Sequence, residues 1–385
     1  MNISIRLKKA SLVIVSLLLL CFDKQVHAQV DIATDCVAVT SNMCTFEGSL
    51  ITLGLSDDTR TLVVVENTGN SQELAAGYWR TSSFYSPFDQ TLLIWVYSRS
   101  SHPLSDEPED PVVELWSSDH TRLASSVLSG LYLPIQRLPD GDLIVFDIPQ
   151  RAFLLLSTSE ETFGTLEFIV NQDDLPDVRG VSQARFSYDE FAFSPNLEYV
   201  AYKQRGLNLA VYSLEQNQIV WVSGDVPKGM EPMSQPVWNS TSDTLAAALF
   251  VEDEMQLFLI NPLTGEQTQL TDFPPDPRYG ELAMIHPGSH LSGIIWSPND
   301  RYVTFTQVYE GLNILDTETM IITNTCADLR PSFWSSQSNY LFVSGQVSEN
   351  QVQVLDITTN RAYSIIPDDS VNEVLGWWWR PTEED

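Results

Sequence analysis

Positive charge is what this chain has least of. Lys and Arg number 20 against 51 Asp and Glu, and beyond residue 28 the only lysines are Lys203 and Lys228. Nucleic-acid binders displace counterions with clustered Lys and Arg, and anionic membranes attract the same residues. A surface this acidic excludes both as partners, and the charge reads as a device for solubility. Histidines number five and cysteines four, too few for a metal framework to stand out. His286 and His290 are four apart, but Pro287 and Gly288 break the helix that such a zinc pair needs, and no Glu follows the first His. The acidic pairs Asp57-Asp58, Asp173-Asp174 and Asp368-Asp369 lack the alternating spacing and Gly of a calcium loop. No G-x-S-x-G elbow, phosphate-cradling Gly loop or paired C-x-x-C occurs. No metal, no cofactor and no catalytic residues are therefore expected. Helical periodicity is absent as well, which leaves an all-β chain.

The longest apolar run is at the start. Arg6, Lys8 and Lys9 precede the thirteen residues Ala10 to Phe22, and Val26-His27-Ala28 forms a small-residue cleavage site. This is the pattern of a secretory signal peptide over residues 1–28. The run falls short of the roughly 20 residues that span a bilayer, and Leu20 ahead of Cys21 is bulkier than lipid-anchor processing prefers. The mature chain, 29–385, is expected outside the cytoplasm, secreted or periplasmic, with 16 basic against 50 acidic residues. In an oxidising compartment the near pair Cys36 and Cys44 is the expected disulfide. It closes a nine-residue loop worth about 2.5 kcal/mol in the chain-entropy model. Cys326 then reads as a buried small hydrophobe.

A short phrase recurs through the rest: an aromatic ends one apolar run, a polar tight turn follows, and a second β-rich run begins. It is clearest in Trp296-Ser297-Pro298-Asn299-Asp300-Arg301-Tyr302-Val303, and recurs at Tyr85, Phe193, Trp238 and Trp334. A weaker copy at Pro139-Asp140-Gly141 has Arg137 in the aromatic's place. A second marker, an apolar run stopping at a small polar residue, falls at Ser213, Asn261, Asp316 and Asp356. These lie 20, 23, 20 and 22 residues after Phe193, Trp238, Trp296 and Trp334. Two markers in step define a four-stranded antiparallel unit and predict a single β-propeller of about seven blades, six or eight remaining open. A β-sandwich shares the turn frequency but not the fixed period. At the C-terminus Val374 to Pro381 repeats only the first strand and its turn. The runs Leu50 to Leu55 and Thr61 to Val65 near the mature N-terminus supply its partners and close the ring.

The units from Phe193 to Pro367 resemble the WD-repeat-like repeats of TolB-type propellers, which pair an aromatic-Ser-Pro-Asp-Gly turn with a later Asp and a closing Leu-Thr, here Leu270-Thr271. The resemblance covers about half of the chain. It implies the propeller alone, because the chain has no room for the α/β domain that precedes the propeller in that family.

Strand order sorts the loops. First and third turns of each unit are tight, whereas the long segments Ser98 to Pro111, Gly224 to Gln235 and Asp272 to Gly293 all leave from the opposite end of the units. Long loops in compact domains tend to carry function. The last of them gathers Arg278, Tyr279, Met284, His286 and His290, residue types suited to an interface. The resulting expectation is a monomeric protein-binding or scaffolding module with a protein or cell-envelope partner. The alternative is a propeller hydrolase or lyase acting on extracellular polysaccharide.

Overall fold

In the computed structural model every described strand joins one of seven sheets. The described residues are 31–33, 38–40, 49–56, 59–66, 71–78, 80–97, 110–178, 191–206, 208–224, 234–251, 254–273, 291–307, 311–325, 329–345, 352–359, 361–365 and 371–378. Six sheets take their four antiparallel strands from consecutive stretches of sequence. The seventh joins Val371–Trp378 from the C-terminal end to Ser49–Ser56, Thr59–Glu66 and Ser71–Tyr78. Numbering this closing sheet 1, the first strands of sheets 2 to 7 are Arg80–Ser86, Tyr132–Arg137, Phe191–Phe193, Val237–Trp238, Leu291–Trp296 and Leu329–Trp334. From Val371–Trp378 to Leu329–Trp334, each first strand contacts the next, so these strands surround the centre. The fold is a β-propeller.

The closing register sets Trp377 against Leu50 and Trp378 against Ser49, with Ser49 in turn against Glu66. The expected terminal strand and its expected partners are thus the ones that pair. Two sheets depart from the four-stranded rule. Asp31–Ala33 adds a parallel fifth strand to the outer edge of sheet 6, along Ile321–Asn324, and Ala38–Thr40 does the same for sheet 7, along Arg361–Ile365. Helix among the described residues is confined to one 3-10 turn, Gln172–Asp174, and none is long and apolar enough to cross a membrane.

The core lies between sheets rather than within any one of them. In the second strand of sheet 4, Tyr199–Lys203, Val200 and Tyr202 pack with Phe146 and Phe153 of sheet 3, while Tyr199 and Ala201 pack with Trp238 and Leu245 of sheet 5. Alternation of side chains across a strand puts one apolar set on each face. That is why the inner strands Leu143–Asp147, Tyr199–Lys203 and Leu209–Ser213 read as unbroken apolar runs and are buried throughout. The outermost strand Arg122–Val127 alternates with solvent and reads as polar.

The polar stops found in the sequence cap the third turns of sheets 4 to 7, Ser213 Oγ accepting from Gln216 N at 3.1 Å. Asn261 Oδ1 accepts from Leu263 N at 3.0 Å and Thr264 N at 3.1 Å, and Asp316 Oδ1 from Glu318 N at 3.0 Å. Asp356 Oδ1 accepts from Thr358 N at 2.8 Å, and at the second turn of sheet 3 Asp147 accepts from Gln150 N at 3.0 Å. These are Asx turns and, at Ser213, the hydroxyl equivalent, in which the side chain stands in for backbone. Burial works to raise the Asp316 carboxyl, but hydrogen bonds from Arg301 and from the backbone of Glu318 and Thr319 outweigh it and hold the group below its ordinary 3.8. Asp356 is lowered too, its burial outweighed by the Thr358 and Thr359 donors. A carboxylate with a depressed folded-state pKa contributes stability that is complete above its unfolded value and lost as pH falls through the folded one. Asp316→Asn is therefore expected to melt below the wild type at pH 6. The gap should narrow as pH drops from about 5 to below 3. Thermal melts across that range check it, and a gap independent of pH would show that the Asp316 charge has no part in the turn.

Candidate functional site

The first strands of sheets 2 to 7 each end in a tight turn at the same end of the sheet, and there the sheets are fastened to one another. Trp238 Nε1 donates to Ala192 O at 2.9 Å, and Trp296 Nε1 to Val237 O at 3.0 Å. In both cases the acceptor is the residue just before the anchor of the preceding sheet, Phe193 or Trp238. Arg137 makes the same bond: its guanidinium donates to Phe84 O at 2.7 Å, one residue before Tyr85, and to Thr91 O at 2.8 Å. Arg137, which departs from the aromatic pattern in sequence, thus supplies what the indoles supply, an N–H donor aimed at the neighbouring backbone. Its side chain is 5 % exposed, with Asp89 Oδ2 at 3.7 Å. Burial pulls its pKa down to about 10, with Asp89 acting against the fall, and it keeps its charge at neutral pH.

The turns carry a second fastening. Four residues after Arg137, Phe193, Trp238, Trp296 and Trp334 the backbone enters the left-handed region, at Gly141, Leu197, Ser242, Asp300 and Ser338. At Gly141 (φ 98°) a side chain would be strained as well as crowded by Asp89 and Thr158. Where this position holds a polar residue, its side chain reaches back one sheet. Ser242 Oγ accepts from Asn196 N at 3.0 Å and Ser338 Oγ from Asn299 N at 3.1 Å. Asp300 accepts from both Ser240 N (2.8 Å) and Ser240 Oγ (2.5 Å).

These fastenings frame a cavity of about 210 Å³ at the centre of the tight-turn end, lined by residues of sheets 2 to 6. Its wall is largely apolar and rigid: Tyr85, Trp238 and Trp296 from the strand ends, with Pro87, Pro139 and Pro195 from the turns. Phe88 stands at the rim, 45 % exposed. Tyr85 also touches Phe333 of sheet 7, ring centroids 5.3 Å apart, and Phe333 stacks on Phe342 at 4.5 Å. Burial, and then the Asp89 charge, push the Tyr85 phenol well above its usual range, so it remains a neutral donor. Neither its hydroxyl nor that of Ser86 has a hydrogen-bond partner among the described residues. Asp300 is the one acidic residue among the described lining residues, and its oxygens are taken by Ser240.

Arg278, Tyr279, Met284, His286 and His290 lie outside the described residues, as do Cys36, Cys44 and Cys326. Asp173 pairs with Arg151 at 3.0 Å and Asp174 accepts from Asn171 Nδ2 at 2.9 Å, an ordinary solvated turn. Asn239, the acceptor of a glycosylation-like triplet, is 6 % exposed, with its amide nitrogen given to Thr241 and Asp243. Among the described residues no three His, Cys, Asp or Glu side chains gather as a metal site would require. The cavity itself was not foreseen, since its wall comes from five separate stretches of sequence. The donor role of Arg137 could have been: Arg and Trp share an N–H at the end of a long side chain.

No family model and no curated protein matches the chain. Among solved structures it is similar to TolB from Acinetobacter baumannii, with 13% identity and a TM-score of 0.41 over 85% of this chain and 81% of that one. It is also similar to apo AztD from Citrobacter koseri, with 12% identity and a TM-score of 0.48 over 86% of this chain and 97% of that one. A puromycin hydrolase mutant complexed with PGG has 12% identity and a TM-score of 0.48, over 88% of this chain and 58% of that one. The class of the protein, a β-propeller, rests on its strand order.

The indole bonds give a direct test. Trp238 Nε1 has a partner, whereas Trp334 Nε1, in a side chain 1 % exposed, has none among the described residues. Trp238→Phe should cost about 1 kcal/mol more than Trp334→Phe, the worth of one net hydrogen bond. Urea unfolding of the two variants measures the difference, and equal losses would remove the indole bond from the account.

Proposed function

We propose that the protein is an exported β-propeller that binds a protein partner outside the cytoplasm, through the central cavity of its tight-turn end. The observation that carries this reading is the preformed wall of aromatic and proline side chains, held by the inter-sheet bonds of Arg137, Trp238 and Trp296 and open at Phe88. Binding sites are concave, mostly apolar and largely formed before the ligand arrives, with a few polar groups to orient it. Here the Tyr85 and Ser86 hydroxyls are such groups. The fitting occupant is an extended partner segment that inserts one large apolar side chain and offers backbone carbonyls to those donors. The mature chain, with 16 basic against 50 acidic residues, favours a neutral or basic segment. The leader read over residues 1–28 supports the location.

The rival site is the Asp272 to Gly293 segment, with Arg278 and Tyr279, expected from the sequence. Partners captured from the native cell surface by the tagged protein separate the two. Phe88→Asp, at an exposed position, should weaken capture at least about tenfold, as loss of an interface anchor does. Leu263→Asp, an exposed apolar residue of a third turn, should leave it unchanged. Full capture by Phe88→Asp, with loss in the Arg278→Ala/Tyr279→Ala double variant, would move the site to that segment.

A further inference from the structure

The outer strand of each sheet turns N–H and C=O groups away from the ring, where another chain can pair with them. The seven outer strands are of two kinds. Those of sheets 1 to 4 shift register against their inner neighbours, between Leu62 and Val63, Leu115 and Trp116, Phe153 and Leu154, and Val211 and Tyr212. Such bulges bend an edge away from further pairing. Those of sheets 5 to 7, Glu266–Gln269, Ile321–Asn324 and Arg361–Ile365, run in unbroken register. Two of the three straight edges are covered, by Asp31–Ala33 and Ala38–Thr40. Along the third, Glu266–Gln269, no described strand lies.

The two covers share one register. Asp31 stands opposite Ile321, five residues after the turn cap Asp316, and Ala38 opposite Arg361, five after the cap Asp356. Glu266 is five residues after Asn261, the cap of the same turn in sheet 5. The hydrogen-bond phase matches as well: Thr325 N donates to Leu312 O at 2.9 Å, and Leu270 N to Leu257 O at 2.8 Å. Bonded pairs alternate along an antiparallel ladder. Ile322, which meets Ile32 at the centre of its cover, therefore turns its backbone outward, and so does Gln267 at the matching position.

Charge selects the occupant. Sheet 5, from Val237 to Gln269, contains no Lys or Arg, and both Glu266 and Asp272 just past the outer strand are exposed. An acidic segment is repelled here, and one with a basic residue opposite Glu266 is attracted.

We propose that the outer edge of sheet 5 is a second interaction surface, apart from the central cavity. An extended segment of another protein, with Lys or Arg opposite Glu266, adds a parallel fifth strand there, as the chain's own N-terminal strands do on sheets 6 and 7. Backbone bonds centred on Gln267 supply the affinity, and the charge at Glu266 fixes the register.

The probe is a fluorescent eight-residue peptide of alternating valine and threonine with arginine in second place, titrated into the folded chain from residue 29 onward. Anisotropy should saturate, and the bound peptide should slow hydrogen exchange at the Gln267 and Gln269 amides. Glutamate in place of the peptide's arginine should weaken binding about tenfold, and Glu266→Lys should reverse that preference. Gln267→Pro removes an outward N–H and leaves the sheet's own bonds in place, so it should abolish binding with little change in melting temperature. Phe88→Asp, at the cavity rim, should leave peptide binding unchanged, which separates this surface from the cavity. Equal binding of both peptides, or unchanged exchange at Gln267 and Gln269, overturns the proposal. So does self-association that Gln267→Pro abolishes and the peptide does not displace, which would give the edge to a second copy of the chain.

Discussion

The pairing of Val371–Trp378 with Ser49–Ser56 is the contact on which the rest of this structure depends. Each apolar cluster straddles two neighbouring sheets, as Phe153 does with Phe191 and Phe193 (4.7 and 5.1 Å between ring centroids), so no sheet owns a core of its own. A row of such sheets is stable only where each has a neighbour on both sides. The pairing supplies the missing neighbour by joining the two ends of the chain. The entropy of closing so long a loop grows only slowly with its length, whereas an open ring would expose two apolar sheet faces to water.

The same constraint shapes the tight-turn end. Seven sheets converging on one axis bring first strands close together, and their edge carbonyls must find donors. Trp238, Trp296 and Arg137 provide these, and the left-handed turn residues Ser242, Asp300 and Ser338 satisfy the backbone N–H groups of the preceding turns. Groups that serve the ring's cohesion therefore also fix the cavity wall, so that the surface proposed for binding is already ordered. That lowers the entropic cost of binding.

The propeller was legible because its signals are local and repeated. Trp296-Ser297-Pro298-Asn299 and the stop at Asp316 each encode a turn within a few residues, and the unpartnered terminal strand pointed to Leu50 to Leu55. What escaped was non-local or too short. Asp31–Ala33 and Ala38–Thr40 are three residues each, below the length at which alternation can be read. Arg137 was read as a degraded copy of the aromatic because the phrase was defined by ring rather than by N–H donor. The cavity joins Tyr85 to Asp300, positions that nothing in the linear sequence associates. The candidate interface residues Arg278 to His290 came from loop length and residue type, and they lie outside the described residues.

Removal of residues 371–385 tests most directly whether ring closure governs the fold. The account predicts that the shortened protein loses the single cooperative transition in calorimetry, and that a peptide of residues 371–385 added in trans restores it by occupying the vacant edge of Ser49–Ser56. An unchanged cooperative transition at the wild-type temperature, with no effect of the peptide, would contradict it.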